Sequence, residues 1–505
     1  MNNISNALDN VLNKITMYRL VLYVLITTLV VALIFSSFND FFFSTGALAL
    51  TIIVLIVVCY ISNKALTILT DADANTESWL ITALILACIL MPQSSVHGLS
   101  LIALGGLFAM AGKYLITYKH RHIFNPAALA AVVLSVSKLL PAVWWVGNPH
   151  LFIISLIVGF LMLKKLRHFE MFFSFLFFSL ILSIIIGLGH HMGVGSIVKT
   201  AFESSPLLFL GTIMMTEPMT MPARRYEQLV YAAIVGLVFS SQISLGSVSA
   251  TPEMALIVGN IFSFIFSPKY KLRLKFKQAR KLSPDIYSFT FASNQPVYFR
   301  PGQYMEWTLS HKSDSRGNRR TFSIASAPGN NEIEVVTKIN DKASSFKKRM
   351  LELKQADSIS VGRLSGDFTL PSDTSKRLVF IAGGIGVTPY LSMLEDLIKR
   401  QEKRDITMFY LVSGEADYCF SETLSDASKL GIKIVPILTR DKPSREWKGL
   451  TGRLTSDILE REVTNYKEPL YYISGPNALV IAYKNLLKQA GVSGRSIVTD
   501  YFSGY

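Results

Sequence analysis

Cysteine and charge are both scarce in this sequence. The 505 residues include three cysteines, Cys59, Cys88 and Cys419, and charged residues make up 17% of the chain. Because an iron–sulfur cluster needs several neighbouring thiolates, these isolated cysteines argue against such a cluster, and they predict no disulfide framework. With 50% hydrophobic residues, the low charge also excludes an ordinary soluble protein.

Most of the apolar residues lie in the first half of the chain. An α-helix needs about 20 apolar residues to cross the roughly 30 Å hydrocarbon layer of a membrane. About ten runs approach this length, and they predict a helical membrane domain over residues 18–268. The expected spans, of which the third and sixth are short, are 18–38, 41–62, 78–92, 98–117, 126–146, 150–163, 169–189, 206–221, 226–242 and 252–267.

Basic residues are distributed unevenly between the loops that join these runs. If the spans alternate, Lys113, Arg121, Arg224 and their counterparts all fall on one side, and Lys199 alone falls on the other. This asymmetry predicts a multi-pass protein of the cell membrane with both termini in the cytoplasm. It also accounts for the net charge of +15, so no nucleic-acid partner is expected. Residues 1–17 predict an amphipathic interfacial helix, with a plain helix packed on the bundle as the alternative.

The second half has a different texture, with short alternating strands and Gly/Pro turns. Segments such as "IYSFTFAS" and "QYMEWTLS" predict an antiparallel β-barrel over residues 269–375. From Arg377, "RLVFIAGGIGVTPYLSMLEDLIKR" predicts a strand, a Gly-rich turn and a helix, followed by a parallel α/β sheet over residues 376–505. Glycines at such a turn let the backbone approach a pyrophosphate, and the next helix offers free N–H groups.

Seven motifs follow one another here: "RPGQY", "RRTFSIAS", "SSFKKRM", "GRLSGDF", "IAGGIGVTPYLSML", "SGPNALV" and "TDYFSGY". In order and spacing, residues 270–505 resemble the ferredoxin–NADP reductase-like superfamily. The resemblance implies an FAD-binding barrel, an NAD(P)-binding domain and an FAD-dependent NAD(P)H oxidoreductase. For the flavin it implies contacts from Arg320, Thr321, Phe322, Ser323, Ser344 and Ser345.

The same resemblance implies a nicotinamide nucleotide site and does not separate NADH from NADPH. Ser323, Ser474 and Asp500 are the expected catalytic residues, and Ser474 stands where the family often has Cys. Hydride transfer requires close orientation of the two rings rather than a strong acid or base. The implied nucleotide contacts are Gly383, Gly384, Gly386, Thr388, Pro389, Thr439, Arg440, Gly475 and Pro476.

No stacked pair of histidines lies inside the predicted spans. A haem-type transmembrane ferric or oxygen reductase requires such pairs as iron ligands, so it is kept as an alternative rather than as the leading expectation. No metal site is expected elsewhere. The eight histidines fall in loops, at span ends or in the second half: His97, His120, His122, His150, His168, His190, His191 and His311.

The first half carries a second resemblance. The segments "AGKYLITYKHRHIFNPAALA", "FLGTIMMTEPMTMPARR" and "TPEMALIVGNIFSFIF" are similar to the B/D family of membrane subunits from the Na⁺-translocating NADH:quinone reductase and Rnf complexes. This implies an electron-acceptor site at His122, Asn125, Thr216 and Glu217. A quinone or a non-covalent FMN or riboflavin would receive the electrons there, and ion transport is a further expectation. That family usually links FMN to a Thr soon after Asn-Pro-Ala; "LLPAVWWVGNPHLF" has none, so no covalent FMN is expected.

Structural roles stay open for these membrane residues. Asn125 and Pro126 suit a helix N-cap and first helical position. Glu217 is expected to bind a cation or proton, or to pair with a nearby cation, while a merely kinked helix is the alternative. Trp144 and Trp145 are interpreted as part of an interfacial aromatic belt. The leading expectation is electron flow from NAD(P)H through FAD into the membrane domain; a membrane-anchored reductase of a soluble electron carrier is the other alternative.

Overall fold

A computed structural model describes residues 8, 11–12, 15–38, 40–70, 77–118, 121–241, 243–245, 248–267, 272–314 and 316–502. The chain divides into two compact units, Met1–Lys271 with Ser315–Gly317 and Leu272–Asp314 with Asn318–Tyr505. After the expectations from the sequence, we call them the membrane unit and the reductase unit. The finer domain limits stay predictions, and the expected helix over 1–17 falls mostly outside the described residues.

Helices make up most of the membrane unit. By length and composition, five of them within the described ranges could cross a membrane: α1, α2, α4, α6 with the turn that precedes it, and α7. The helices in chain order are α1 Met17–Ser37, α2 Thr45–Thr70, α3 Ser78–Ile89, α4 Val96–Leu115, α5 Pro126–Val136, α6 Phe152–Leu166, α7 Phe169–Gly189, α8 Val194–Glu203, α9 Leu207–Phe209, α10 Arg225–Ser240 and α11 Pro252–Phe266. Two short hairpins join them, β1 Thr117–Tyr118 with β2 Arg121–His122, and β3 Ser244–Leu245 with β4 Val248–Ser249.

The other five predicted spans contain shorter helices. They hold α3, α5, α9 with the π-helix Leu210–Met214, α10 and α11, none of which reaches the length of about 20 residues that a full crossing needs. The total of about ten spans therefore stays a prediction. For α5 the expected end at residue 146 is wrong: Ser137 caps the helix, Lys138 adopts the left-handed conformation (φ 56°), and Pro141 follows.

Helices α5 and α11 pack against each other in opposite directions. At one end the N–H of Asn125 donates to Oδ1 of Asn260 (2.8 Å), and at the other the Ser135 hydroxyl lies 3.5 Å from Glu253 in the first turn of α11. The indole of Trp144 also donates to Glu253 (2.7 Å). Trp144 and Trp145 are 3% and 2% exposed, so their interpretation as an interfacial belt is wrong: their indole N–H groups are used inside the unit.

The first part of the reductase unit is a six-stranded antiparallel sheet in the order β8-β7-β10-β5-β6-β9. Alternating apolar residues fill its inner face, where Phe289, Phe291 and Trp307 are fully buried. The sheet is curled; its closure into a barrel stays a prediction. The strands are β5 Leu272–Lys281, β6 Ile286–Val297, β7 Tyr304–Thr308, β8 Arg319–Ser323, β9 Asn330–Lys338 and β10 Ser358–Ser365, with helix α12 Ser345–Leu351 before β10.

The second part is the expected parallel sheet with crossover helices. Its order, β14-β13-β12-β11-β15-β16, reverses between β11 and β15, and ligands of open parallel sheets bind at the carboxyl ends of the strands beside such a reversal. Its elements are β11 Leu378–Gly383, α13 Thr388–Arg400, β12 Ile406–Val412, α14 Ser421–Lys429, β13 Lys433–Leu438, β14 Leu450–Thr451, α15 Ser456–Glu462, β15 Leu470–Pro476, α16 Asn477–Gln489 and β16 Ile497–Phe502.

Candidate active site

Strand β8 carries the predicted flavin residues. Arg320 and Phe322, two residues apart, share its buried face at 5% and 8% exposure, whereas Thr321 points to solvent. Both buried side chains pack on Phe346 of α12: the Arg320 guanidinium carbon lies 5.6 Å and the Phe322 ring 5.9 Å from the centroid of its ring. Because Phe322 is part of the interior cluster of the sheet, its contact with an isoalloxazine stays a prediction.

The predicted phosphate contacts Ser344 and Ser345 stand at the start of α12. Ser344 is fully buried, and its hydroxyl accepts from Lys347 N–H (3.4 Å) as an N-cap. Ser345 exchanges two bonds with Asp314: its N–H donates to Oδ2 (2.9 Å), and its hydroxyl oxygen accepts from the Asp314 N–H (2.9 Å). The same hydroxyl lies 3.0 Å from Nε2 of His311. The sequence motifs did not mark Asp314 or His311.

Asp314 also connects Ser345 to Arg320. Its Oδ1 lies 3.9 Å from Nη2 of Arg320, so one carboxylate faces both groups predicted to hold the pyrophosphate. A guanidinium and a backbone N–H that donate to a carboxylate can equally well donate to phosphate oxygens, because both anions are negatively charged hydrogen-bond acceptors. These donors therefore fit an FAD pyrophosphate. The negative charge of Asp314 would repel the pyrophosphate and so weaken its binding.

We predict that Asp314→Asn strengthens FAD binding about two- to fivefold, since a partly exposed pair is worth about 1 kcal/mol or less. The amide keeps an oxygen that can accept from Ser345 N–H and removes the negative charge beside Arg320. Titration of flavin-free protein with FAD, followed by fluorescence quenching, measures the dissociation constant. Asp341→Asn, in an exposed turn, is the matched control. Weaker or unchanged FAD binding in Asp314→Asn would contradict the prediction.

The Gly-rich turn after β11 touches the last residues of β15. A side chain on Gly386 would place its Cβ 2.5 Å from the carbonyl oxygen of Ser474 and 2.6 Å from Cα of Gly475, which is far inside van der Waals contact. Gly384 adopts a left-handed conformation (φ 53°) with open space where a Cβ would be. The carboxyl ends of the two strands that flank the sheet reversal are thus held close together, with open space beside them.

Ser474 is fully buried near the end of β15, and within the described part of the chain its hydroxyl has no hydrogen-bond partner. It lies opposite Asp500 in the parallel register of β15 and β16, so two of the expected catalytic residues are neighbours. A buried hydroxyl without a partner costs free energy, and such groups commonly serve ligands. The Ser474 hydroxyl therefore fits the carboxamide of a nicotinamide.

The remaining predicted nucleotide residues have local roles or face solvent. The Thr388 hydroxyl donates to the carbonyl of Ile385 (3.1 Å) and so closes the Gly-rich turn, and Pro389 is buried in the first turn of α13. The Thr439 hydroxyl donates to the last carbonyl of β12 (2.9 Å), whereas Arg440 is exposed beyond β13. Pro476 is exposed after Gly475. The roles of all these residues toward a nucleotide stay predictions.

Gly386→Ala should slow flavin reduction by NAD(P)H at least about tenfold while FAD stays bound, because the new methyl group must push the Gly-rich turn away from the end of β15. Anaerobic stopped-flow mixing measures this rate by the loss of flavin absorbance. Gly494→Ala is the control, because its added Cβ meets only the flexible end of Lys488, at 3.6 Å. A wild-type rate in Gly386→Ala would contradict the prediction.

In the membrane unit, Glu217 is the centre of a hydrogen-bond network. Nε2 of His122 lies 3.2 Å from its Oε1, and its Oε2 accepts from Nδ2 of Asn125 (2.8 Å) and from the hydroxyl of Thr220 (3.0 Å). The structure thus brings together three of the four residues predicted for the acceptor site. The fourth, Thr216, uses its hydroxyl on main-chain carbonyls one turn back (2.9 and 3.0 Å).

Asn125 caps α5 and also bonds to Glu217. Its Oδ1 accepts from Ala128 N–H (3.0 Å), which caps α5, while its Nδ2 donates to Glu217. Its own N–H donates to Oδ1 of Asn260 (2.8 Å), and both asparagines are almost completely buried. The start of α5 is therefore fixed to Glu217 on one side and to α11 on the other.

Arg121 is buried and bonds to the main chain, which the charge pattern did not predict. The loop asymmetry predicted an orienting residue at the membrane surface, but the side chain is 5% exposed. Its Nη2 donates to the carbonyl of Pro218 (3.0 Å) and to that of Met219. These bonds hold the non-helical segment that carries Glu217. A small cavity lies beside this network, lined by Tyr118, Arg121, His122, Ile123, Met219 and Phe264.

Comparison with known proteins identifies part of the reductase unit. Residues 380–485 match the oxidoreductase NAD-binding domain family. The chain is 24% identical to the flavohemoprotein of Bacillus subtilis over 40% of its own length and 51% of the relative's. It is 26% identical to the reductase component of phenol 2-monooxygenase from Pseudomonas sp. strain CF600, over 44% of its own length and 62% of that protein's. The chain thus spans only about half to two thirds of these relatives.

A solved structure of ferredoxin NADP⁺ reductase from Neisseria gonorrhoeae, with bound FAD and NADP, is also similar. It shares 19% sequence identity, covers 46% of this chain and 99% of its own, and gives a TM-score of 0.40. The chain therefore contains an oxidoreductase NAD-binding domain, and its second unit is similar in sequence to the reductase component of phenol 2-monooxygenase.

Proposed function

We propose that this chain is a membrane-bound NAD(P)H oxidoreductase that passes electrons through FAD to an acceptor in its membrane unit. The observation that carries the proposal is the contact between the Gly-rich turn at Gly386 and Ser474 near the end of β15, within the matched NAD-binding domain and at the reversal of the sheet. The apolar helices of the membrane unit support a membrane location. We further propose a multi-pass arrangement of about ten spans in the cell membrane, with both termini and the reductase unit in the cytoplasm.

The residues of the reductase unit bind and orient. Arg320 and the N–H of Ser345 hold pyrophosphate oxygens, and the Ser474 hydroxyl orients the nicotinamide carboxamide. The glycines of the Gly-rich turn, with Gly475 at the end of β15, allow the nucleotide to lie directly against the backbone. FAD, when bound, accepts two electrons as a hydride and can release them one at a time. Thr321, Ser323 and Asp500 are proposed to complete this site.

The relatives support an electron acceptor outside the reductase unit. One of them is by its name a reductase component of phenol 2-monooxygenase, and another is a flavohemoprotein. We propose that in this chain the acceptor is bound by the membrane unit. The resemblance to the B/D family of membrane subunits in the ion-translocating NADH:quinone reductase and Rnf complexes supports that role and makes coupling to ion transport a secondary proposal.

The network around Glu217 supports a quinone or a non-covalent FMN or riboflavin as this acceptor. Both take up protons when they are reduced, and His122 with Glu217 forms a pair that can hold and pass a proton. A cavity adjoins His122, with Tyr118 and Phe264 as an aromatic pair on its wall (ring centroids 5.5 Å apart). Planar rings pack well against such aromatic side chains.

Arg320→Ala tests the flavin site. We expect loss of bound FAD and of NADH or NADPH oxidation together, because the guanidinium is the one predicted cationic phosphate contact. Anaerobic titration of the full-length protein with each nucleotide, in the presence of quinone analogues, identifies both donor and acceptor. Arg453→Ala, at an exposed position, is the control. Retention of yellow colour and activity in Arg320→Ala would overturn the assignment, and a Soret band in the wild-type protein would favour a haem-type reductase.

Glu217→Gln tests the membrane site. Because the change removes a charge and a proton carrier, we expect quinone reduction to fall about tenfold or more. Reduction of ferricyanide by the flavin should be unchanged, since it bypasses the membrane unit. Glu203→Gln, on a half-exposed side chain, is the control. Equal loss of both activities would indicate damage to the whole protein, and wild-type quinone reduction would favour an anchored reductase that acts on a soluble electron carrier.

A further inference from the structure

One face of α13 is bonded to the segment 324–330, which joins β8 to β9. The Ser392 hydroxyl donates to the carbonyl of Ser326 (2.8 Å), and Oε2 of Glu395 accepts from the N–H of Ala327 (3.0 Å). One turn further, the ammonium of Lys399 donates to a main-chain carbonyl (3.3 Å) and an asparagine oxygen (2.8 Å) of the same segment. These residues recur at helical spacing, so they form one continuous contact.

This contact joins the element next to the proposed nucleotide site to the element next to the proposed flavin site. Helix α13 follows directly on the Gly-rich turn, and segment 324–330 follows directly on Ser323 of the flavin strand. Hydride transfer requires the donor and acceptor atoms to approach to about 3–3.5 Å, so a small displacement between these elements has a large effect on rate. We propose that Glu395 is a positioning residue for hydride transfer, which holds α13 and the nucleotide turn in register with the flavin strand. This inference rests on the proposed function.

A second carboxylate lies across the contact. Glu334 of β9 is next to segment 324–330, because its N–H donates to the hydroxyl of Ser326 (3.1 Å). Its own side chain accepts a hydrogen bond from Ser288 and lies 3.6 Å from Nη2 of Arg280. Lys399, one turn beyond Glu395 on α13, directs its ammonium to segment 324–330. Glu395 therefore faces a like charge that is fixed in place by other residues.

Burial, and then the charge of Glu334, raise the pKa of Glu395 from its ordinary 4.5 to about 7, against the opposing effect of the Ala327 N–H. If α13 separates from the segment, this pKa returns toward its ordinary value. The intact contact thus favours the neutral carboxyl group. The stabilisation of the contact by the neutral Glu395 carboxyl group is complete below about pH 4.5. It is lost as pH rises through about 7, where the carboxylate becomes charged opposite Glu334.

Stopped-flow reduction of the flavin by NADH or NADPH, in the FAD-loaded full-length protein between about pH 6 and 8.5, tests the proposal. We expect the wild-type rate to fall about three- to tenfold with rising pH. A tenfold change corresponds to about one pKa unit, which is less than the shift in the pKa of Glu395. Glu395→Gln stays neutral and can accept from Ala327 N–H, so its rate should hold at the low-pH level throughout. Glu334→Gln should move the midpoint of the wild-type profile to lower pH.

Two controls separate titration from general structural damage. Lys399→Ala weakens the same contact without a titrating carboxylate, so it should lower the rate at every pH and leave the midpoint unchanged. Glu460→Gln alters an exposed carboxylate on α15 and should reproduce the wild-type profile. Superimposable profiles for wild type and Glu395→Gln, both with full FAD content, would overturn the role of Glu395. Absence of flavin reduction at every pH in the wild type would instead overturn the proposed function.

Discussion

A carboxylate placed among apolar helices must be given hydrogen-bond partners, and the arrangement of the membrane unit follows from this requirement at Glu217. Burial of a charged group without partners costs several kcal/mol, which is comparable with the whole free energy of unfolding of a small domain. Asn125, His122 and Thr220 supply the partners: the first two come from the stretch that leads into α5, and Thr220 comes from the segment that carries Glu217 itself. The start of α5, the hairpin before it and the non-helical segment after the π-helix are therefore bound to one another through a single side chain.

In the reductase unit, helix α13 makes two sets of structural contacts. Tyr390 of α13 donates its hydroxyl to the carbonyls of Ile381 and Tyr472, so the helix ties together the two strands whose ends form the nucleotide turns. The opposite part of its surface is bonded to the segment behind the flavin strand. Rigid attachment on both sides is what a reaction that depends on the separation of two rings requires.

The sequence predicted the features that depend on local pattern. Apolar runs located the helices, and the alternation of strands with helices after the Gly-rich turn located the parallel sheet. The grouping of His122, Asn125 and Glu217 at one place was expected from segments that resemble a known family. It could not predict where α5 ends, because a cap at Ser137 and a left-handed Lys138 shortened a run that was still apolar. Nor could it predict Asp314 beside Arg320, or Arg121 on the carbonyls of Pro218 and Met219, because those contacts join residues that only the folded chain brings together.

Helices α5 and α11 both begin with a capping side chain followed by proline, and they run in opposite directions. The partial positive charge of a helix start therefore lies at each end of the pair, with Glu217 close to one start and Glu253 within the first turn of the other. Each carboxylate is also met by a neutral donor, the amide of Asn125 or the indole of Trp144. At each end of the pair, peptide dipoles and a neutral side chain thus offer favourable partners to a carboxylate, without a lysine or arginine among these hydrogen bonds.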